Sequence, residues 1–144
     1  MQRRDFIKGT CRICLLGSAV AIAGNSLTGC SPAASNVLLK PTIIDDKITV
    51  PLTIFEKSNL QIVTPKKFPY EIAIEKKQDG TYNALLLSCT HYENPLTPTG
   101  NGYNCSAHGS KFTTNGEVIK GPAEHSLKQL KTILSSTDVS ILLT

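Results

Sequence analysis

From Cys30 to the C terminus the sequence contains no arginine, and its 11 lysines are interspersed with 10 acidic residues. Positive charge is nowhere concentrated there, so the electrostatic footprint of a nucleic-acid-binding surface is missing. The formal charge of +4 arises mostly at the very start, where Arg3, Arg4, Lys8 and Arg12 outweigh Asp5. The apolar stretch from Ile13 to Gly24 falls short of the roughly 20 residues that a bilayer-spanning helix needs. There is no nucleotide-binding glycine loop, no further histidine–carboxylate set that would hold a mononuclear iron, no internal repeat and no low-complexity tract. A chain of 144 residues has room for one domain of the usual size, roughly 100–150 residues, and none for an added catalytic domain. With 40% hydrophobic and 18% charged residues, it has the composition of one packed core rather than of a disordered chain.

What is present starts with an address. Met1 to Gly29 has a basic beginning, the apolar stretch and small residues before Cys30, the pattern of an export signal rather than of a folded element. Arg3-Arg4-Asp5-Phe6-Ile7-Lys8 resembles the twin-arginine export motif, whose pathway carries proteins already folded, often with cofactor inserted. Leu27-Thr28-Gly29-Cys30 resembles a bacterial lipobox, in which the cysteine thiol takes a diacylglycerol and the chain is cut just before it. The resemblance implies a lipidated Cys30 as mature N terminus and a membrane-anchored protein on the periplasmic side. An ordinary cleavage site with a chance cysteine, or an uncleaved signal serving as anchor, is the alternative, and the short apolar stretch with Arg12 upstream opposes the latter. Cys11 and Cys14 form a Cys-x-x-Cys inside this signal, where no redox or metal role is expected. The organisation read from the sequence is a signal over residues 1–29, a Pro/Ala/Ser/Asn-containing tether over 30–40 and one domain over 41–144.

Within that domain the periodicity is that of strands. Ile48, Val50, Leu52 and Ile54 alternate with Thr49, Pro51 and Thr53, which predicts a half-buried strand, and Pro51 places it at a sheet edge. Further strands are predicted at Leu60–Val63, Tyr70–Ile74, Tyr82–Leu87, Lys111–Thr114, Glu117–Lys120 and Val139–Leu143. Asp79-Gly80 and Asn115-Gly116 read as hairpin turns. Leu127, Leu130 and Leu134 suit a helix, while Ile133 and the following Ser-Ser-Thr-Asp suit a final hairpin, the preferred reading. The fold class is all-β.

The residues that carry chemistry fall on two loops. Ser88-Cys89-Thr90-His91 follows a predicted strand, and Cys105-Ser106-Ala107-His108-Gly109-Ser110 follows a loop rich in Pro, Gly and Asn. One thiol and one imidazole on each loop suit a pair of irons with mixed ligation. The same four side chains would also suit a tetrahedral zinc site, and two thiols in an oxidising compartment can form a Cys89–Cys105 disulfide. The pattern around them is more specific. Cys-x-His, 13 intervening residues and Cys-x-x-His-Gly-Ser are followed by Phe112, the Asn115-Gly116 turn and Gly121-Pro122-Ala123. Over residues 88–123 this resembles the Rieske family.

That resemblance implies an antiparallel β-sandwich with a small cluster-binding subdomain and a 2Fe-2S cluster. Cys89 and Cys105 would bind the buried iron, and His91 and His108 the outer one. Gly121, Pro122 and Ala123 would cover the cluster, and the Ser110 hydroxyl would bond a bridging sulfide. Phe112 stands where high-potential members often carry Tyr, and Asn94 and Ala107 occupy the positions of the disulfide that joins the two loops in respiratory members. The mixture implies an intermediate potential, falling at high pH as an imidazole deprotonates. His125 lies outside the motif and reads as a surface residue. The implied function is single-electron transfer with redox partner proteins, a membrane quinol-oxidising complex or other exported oxidoreductase passing electrons toward a cytochrome. A Rieske ferredoxin serving an oxygenase and a zinc-stabilised, redox-silent binding module are the alternatives.

Overall fold

Alternating burial builds the first strand. In the computed structural model, which describes residues 39–144, β1 (Lys47–Pro51) buries Ile48 and Val50 and exposes Thr49 and Pro51. It pairs with β11 (Asp138–Leu142), which pairs in turn with β10 (Thr132–Leu134), so Pro51 does lie on an edge strand. The predicted continuation to Ile54 is not made. Pro51 stands opposite Asp138, the first residue of β11. The next amide, Leu52 N–H, donates to the Thr137 carbonyl in the β10–β11 turn at 2.9 Å. With its partner strand exhausted, the chain turns into a 3-10 helix over Leu52–Phe55 and buries Phe55.

The second sheet has the order β2 (Leu60–Val63), β3 (Ile72–Lys76), β4 (Tyr82–Leu86) and β9 (Gln129–Leu130). The Asp79-Gly80 turn joins β3 to β4. Gly80 adopts φ 83°, and the Asp79 carboxylate accepts from the Thr81 N–H at 2.9 Å and from its hydroxyl at 2.6 Å. On one face Ile72, Ile74, Ala84 and Leu130 pack with Ile48, Val50, Phe55, Val63, Val139 and Ile141. On the other, Ala73 and Leu85 join Leu87, Leu96, Tyr103, Phe112, Ala123 and Leu127. A sheet covered on both faces asks for a continuous apolar run rather than alternation, as Ile72-Ala73-Ile74 is.

The third sheet, β5 (Thr97–Thr99), β6 (Gly102–Asn104), β7 (Lys111–Phe112) and β8 (Val118–Lys120), lies wholly in the excursion between β4 and β9. Its first two strands fall where the sequence suggested only a loop. The last leucine-bearing stretch is a hairpin, not a helix: β10 pairs antiparallel with β11, closed by Ser135 N–H to the Asp138 carbonyl at 2.8 Å. Every pairing of named strands is antiparallel, giving the all-β sandwich with a small subdomain. Leu39, within the expected tether, bridges Val63 and accepts from the Thr64 N–H at 3.0 Å, so the packed domain takes it in. The expected signal with Cys11, Cys14 and Cys30, and the expected tether up to residue 38, lie outside the described residues.

Tyr103 offers a test of the second core. It is 2% exposed, and its hydroxyl finds no hydrogen-bond partner among the described residues. Burial, and secondarily the Glu75 charge, push its pKa up to about 12. Tyr103→Phe is therefore expected to leave stability at pH 7 unchanged or to raise it by about 1 kcal/mol, since an unbonded buried hydroxyl is removed. The folded state holds the phenolic proton more tightly than an unfolded tyrosine with pKa about 10. The resulting stability is complete below pH 10 and is lost between pH 10 and 12. Denaturant titrations at pH 9 to 12 should show Tyr103→Phe losing less stability per pH unit than the parent, by up to ~1.4 kcal/mol.

Candidate metal centre

Two short loops with the same backbone wiring place the four candidate ligands. In the first, Cys89 N–H donates to the Asn94 carbonyl at 2.8 Å, and Glu93 N–H returns to the Cys89 carbonyl at 2.7 Å. In the second, Cys105 N–H donates to the Ser110 carbonyl at 2.9 Å, and Gly109 N–H returns to the Cys105 carbonyl at 3.0 Å. The residue four after each cysteine turns left-handed, Glu93 at φ 51° and Gly109 at φ 79°. Both cysteines are buried free thiols in the same apolar cluster, so the disulfide alternative is not what the fold builds. Burial pushes the Cys105 thiol up, but the His108 backbone N–H, the Cys89 side chain and the Ala107 N–H outweigh it and leave the pKa below the usual thiol value. The second loop thus favours the thiolate, the form that binds metal.

The two histidines enter at different offsets, two residues after Cys89 and three after Cys105, and end unequally exposed: His91 is half-buried and His108 exposed. Their rings lie 5.0 Å apart at 88°. His91 Nδ1 is buried without a hydrogen-bond partner. An orphaned nitrogen of this kind costs about 1–3 kcal/mol unless something is bonded to it, and a metal ion does so. Among the described residues no three His, Cys, Asp or Glu side chains converge on a single ion position. Two thiols close enough to hydrogen-bond and two adjoining imidazoles supply the two donor pairs that a two-iron cluster of mixed ligation takes.

The segment after β8 closes over both loops. Ala123 N–H donates to Ser110 Oγ at 3.0 Å, with Ser110 fully buried, and Thr90 Oγ1 donates to the His125 carbonyl at 2.6 Å. Each ligand loop thus holds one residue of the covering segment. Ser110 Oγ accepts in this contact, so its own hydrogen remains available to donate. Gly121 and Pro122 are exposed while Ala123 is buried, and Phe112 is buried in the second core. His125 is exposed, as read from the sequence, and Ala107 is exposed while Asn94 is half-buried. Thr90→Val is expected to cost about 1 kcal/mol through the lost hydrogen bond and to release iron to a chelator several-fold faster. Equal release rates for variant and parent would show that the clamp is idle.

Sequence reasoning passed over Tyr92. Its ring lies 4.4 Å from that of His91 at 80° and 5.8 Å from that of His108 at 54°. An aromatic at a single loop position leaves no periodic trace.

The model of the Rieske [2Fe-2S] domain matches residues 51–131, more than half of the chain and the whole of both ligand loops. The chain belongs to the Rieske family. As a Rieske protein it carries a 2Fe-2S cluster and transfers electrons. It is 26% identical over 148 residues to the cytochrome b6-f complex iron-sulfur subunit 3 of Nostoc sp. (strain PCC 7120 / SAG 25.82 / UTEX 2576), covering 97% of this chain and 82% of that protein. Subunit 1 of the same strain is 34% identical over 61 residues, 41% of this chain and 34% of the relative. Among solved structures, the cyanobacterial plasma membrane Rieske protein PetC3 from Synechocystis PCC 6803 superposes with a TM-score of 0.50 at 20% identity, covering 63% of this chain and 93% of that one. The quaternary ammonium Rieske monooxygenase CntA gives a TM-score of 0.52 at 20% identity over 69% of this chain and 31% of its own. At such identities these two structures establish the shared fold.

Proposed function

We propose that Cys89, Cys105, His91 and His108 hold the cluster, the thiols on one iron and the imidazoles on the other. We infer further that the protein serves an exported, membrane-bound quinol-oxidising or related respiratory system. The observation that carries the ligand assignment is the pairing of two buried thiols with two adjoining imidazoles, one of them with an unpartnered buried nitrogen. When bound, the cluster supplies a one-electron redox couple. The chain's own residues hold it by their thiolate and imidazole donors, exclude water from the thiol side, and leave His108 at the surface. Ser110 and the covering segment with Gly121 and Pro122 tune and shield it.

The Nostoc relative, a named subunit of a cytochrome b6-f complex, supports a quinol-oxidising partner. The twin-arginine-like start and Cys30 support lipid anchorage on the periplasmic side. Asn94 and Ala107, which cannot form the interloop disulfide, favour a second reading as a ferredoxin for an oxygenase. Cell fractionation with mass spectrometry of the N-terminal peptide separates the two: a diacylglycerol on Cys30 in the membrane fraction supports the first, and an unmodified cytoplasmic chain the second.

The ligand set is tested by low-temperature electron paramagnetic resonance on the dithionite-reduced protein, with iron, zinc and labile sulfide assayed on the same sample. A rhombic signal with two irons per chain is the expected result, and a silent sample holding one zinc would refute it. His108→Cys is expected to shift the spectrum toward that of an all-cysteine ferredoxin and to lower the potential, or to block assembly. An unchanged spectrum would remove His108 from the ligands.

A further inference from the structure

Lys40, far in sequence from Lys66 and Lys67, is brought beside them where the chain enters the packed domain. The Thr64 N–H donates to the Leu39 carbonyl and the Lys66 N–H to the Pro41 carbonyl, both at 3.0 Å. The loop between β2 and β3 is thereby laced to the entering residues. All three lysines are exposed, and neither residues 39–44 nor residues 64–70 include an acidic one. Of the acids next along the chain, Glu71 is half-buried with its carboxylate accepting from the Thr64 hydroxyl at 3.3 Å, while Asp45 and Asp46 form the following turn and are exposed. Taking these three from the 11 lysines leaves eight against 10 acidic residues, so the positive excess of the described residues sits at this one place. Lys67 holds φ 60°, a left-handed conformation that glycine takes without strain and lysine does not. Beside it the half-buried Phe68 and Tyr70 pack edge to face, ring centres 6.1 Å apart at 83°.

Resting on the lipid-anchored reading above, the position of this patch selects its partner. Leu39 is nine residues beyond Cys30, so a lipid on Cys30 keeps the point of entry within roughly 30 Å of the headgroups. The patch surrounds that point. Attraction between exposed charges fades beyond about 8–10 Å at ordinary salt, and the anchor makes the encounter intramolecular. A bilayer surface is thus offered to these lysines at a local concentration that no soluble anion shares, and lysines with neighbouring aromatics are the side chains that suit such an interface. We propose that Lys40, Lys66 and Lys67 form a headgroup-binding patch that docks the domain on an anionic phospholipid surface. Each lysine favours the docked state about fivefold.

The test uses the full chain as the cell matures it, cluster-loaded and inserted into vesicles of phosphatidylcholine alone or of an equal mixture with phosphatidylglycerol. An amine-acylating reagent labels the lysines, and mass spectrometry reads the rate at each one. The exposed Lys128 and Lys131 serve as references within the same molecule. Lys40, Lys66 and Lys67 should be labelled at least fivefold more slowly on the anionic vesicles than on the neutral ones, with the references unchanged. Salt at about 1 M, which shortens the screening length to ~3 Å, should abolish the difference. Lys66→Gln with Lys67→Gln keeps the backbone bond to Pro41 and should return Lys40 toward the reference rate, with the resonance spectrum unmoved. Equal rates on the two kinds of vesicle would overturn the proposal. Protection of the three lysines on neutral vesicles would overturn it too, by placing a protein neighbour such as a second copy there. An N-terminal peptide without diacylglycerol, from a chain that neither vesicle retains, would instead refute the anchored reading, and this inference with it.

Discussion

Cys105→Ala is expected to yield a colourless chain with no rhombic resonance signal and no stoichiometric iron, whose first and second sheets, β1-β11-β10 and β2-β3-β4-β9, still fold. The thiol removed is one of two buried in the second core, beside Leu87, Tyr103 and Phe112, and it is the one whose thiolate the loop's own N–H groups favour. A two-iron cluster deprived of one of its thiolates has no replacement donor nearby, since no third cysteine lies among the described residues. The first core uses none of these residues; it is built from Ile48, Val50, Phe55, Ile72, Ile74 and their neighbours. Circular dichroism should therefore retain the strand signal. Hydrogen exchange should show protection kept in β1, β3 and β11 and lost in β6 and β7. Full iron content in this variant would sink the ligand assignment, and global unfolding would sink the independence of the two cores.

The second large effect needs no ligand to be touched. Gly102, at φ 152° in β6, passes so close to β7 that a Cβ would stand 2.0 Å from the Phe112 carbonyl oxygen. That oxygen is backbone and cannot swing aside. Gly102→Ala must therefore break the pairing of Tyr103 with Phe112, at a cost of about 4 kcal/mol, the upper range for a point substitution. Because Cys105 follows two residues after Tyr103, cluster occupancy should fall along with stability. Gly80→Ala is the control: its turn also has positive φ, but nothing lies within 4 Å of the added carbon. Only the backbone strain of about 1–2 kcal/mol remains there. Equal melting temperatures for the two variants would contradict the close approach.

Where burial followed a simple period, the sequence disclosed it. Leu60–Val63 alternates and forms the strand predicted, and Asp79-Gly80 makes its turn because glycine takes the left-handed conformation while the aspartate bonds the residue beyond. Alternation misled at Leu52 and Ile54, because the partner strand ends opposite Pro51, which no local pattern reports. It misled mildly at Tyr70, since a strand covered on both faces shows no alternation at its ends, and β3 begins at Ile72. β5 and β6 were hidden altogether. Thr-Pro-Thr and Gly-Tyr-Asn resemble a loop, yet they pair with each other, and β6 lies against β7 because Gly102 admits the Phe112 backbone at short range. The two loops bearing Cys89, His91, Cys105 and His108 stood out for the opposite reason: cysteine and histidine at fixed offsets are rare enough to suggest chemistry without any knowledge of packing. Tyr92 was invisible because its place is set by the two rings it meets.

The excursion that bears the site leaves the second sheet after β4 and re-enters it in β9, the strand beside it. Ala84 faces Leu130, Leu85 faces Gln129, and Leu86 N–H bonds the Lys128 carbonyl at 2.9 Å. The two ends of the excursion are thus already stapled together by the scaffold, so its closure is settled whatever lies between. Doubling the length of such a loop adds only about 0.6 kcal/mol of closure entropy. The redox unit therefore behaves as a cassette with a fixed socket. The first core draws no residue from the excursion, so a change in its length is expected to leave that core standing.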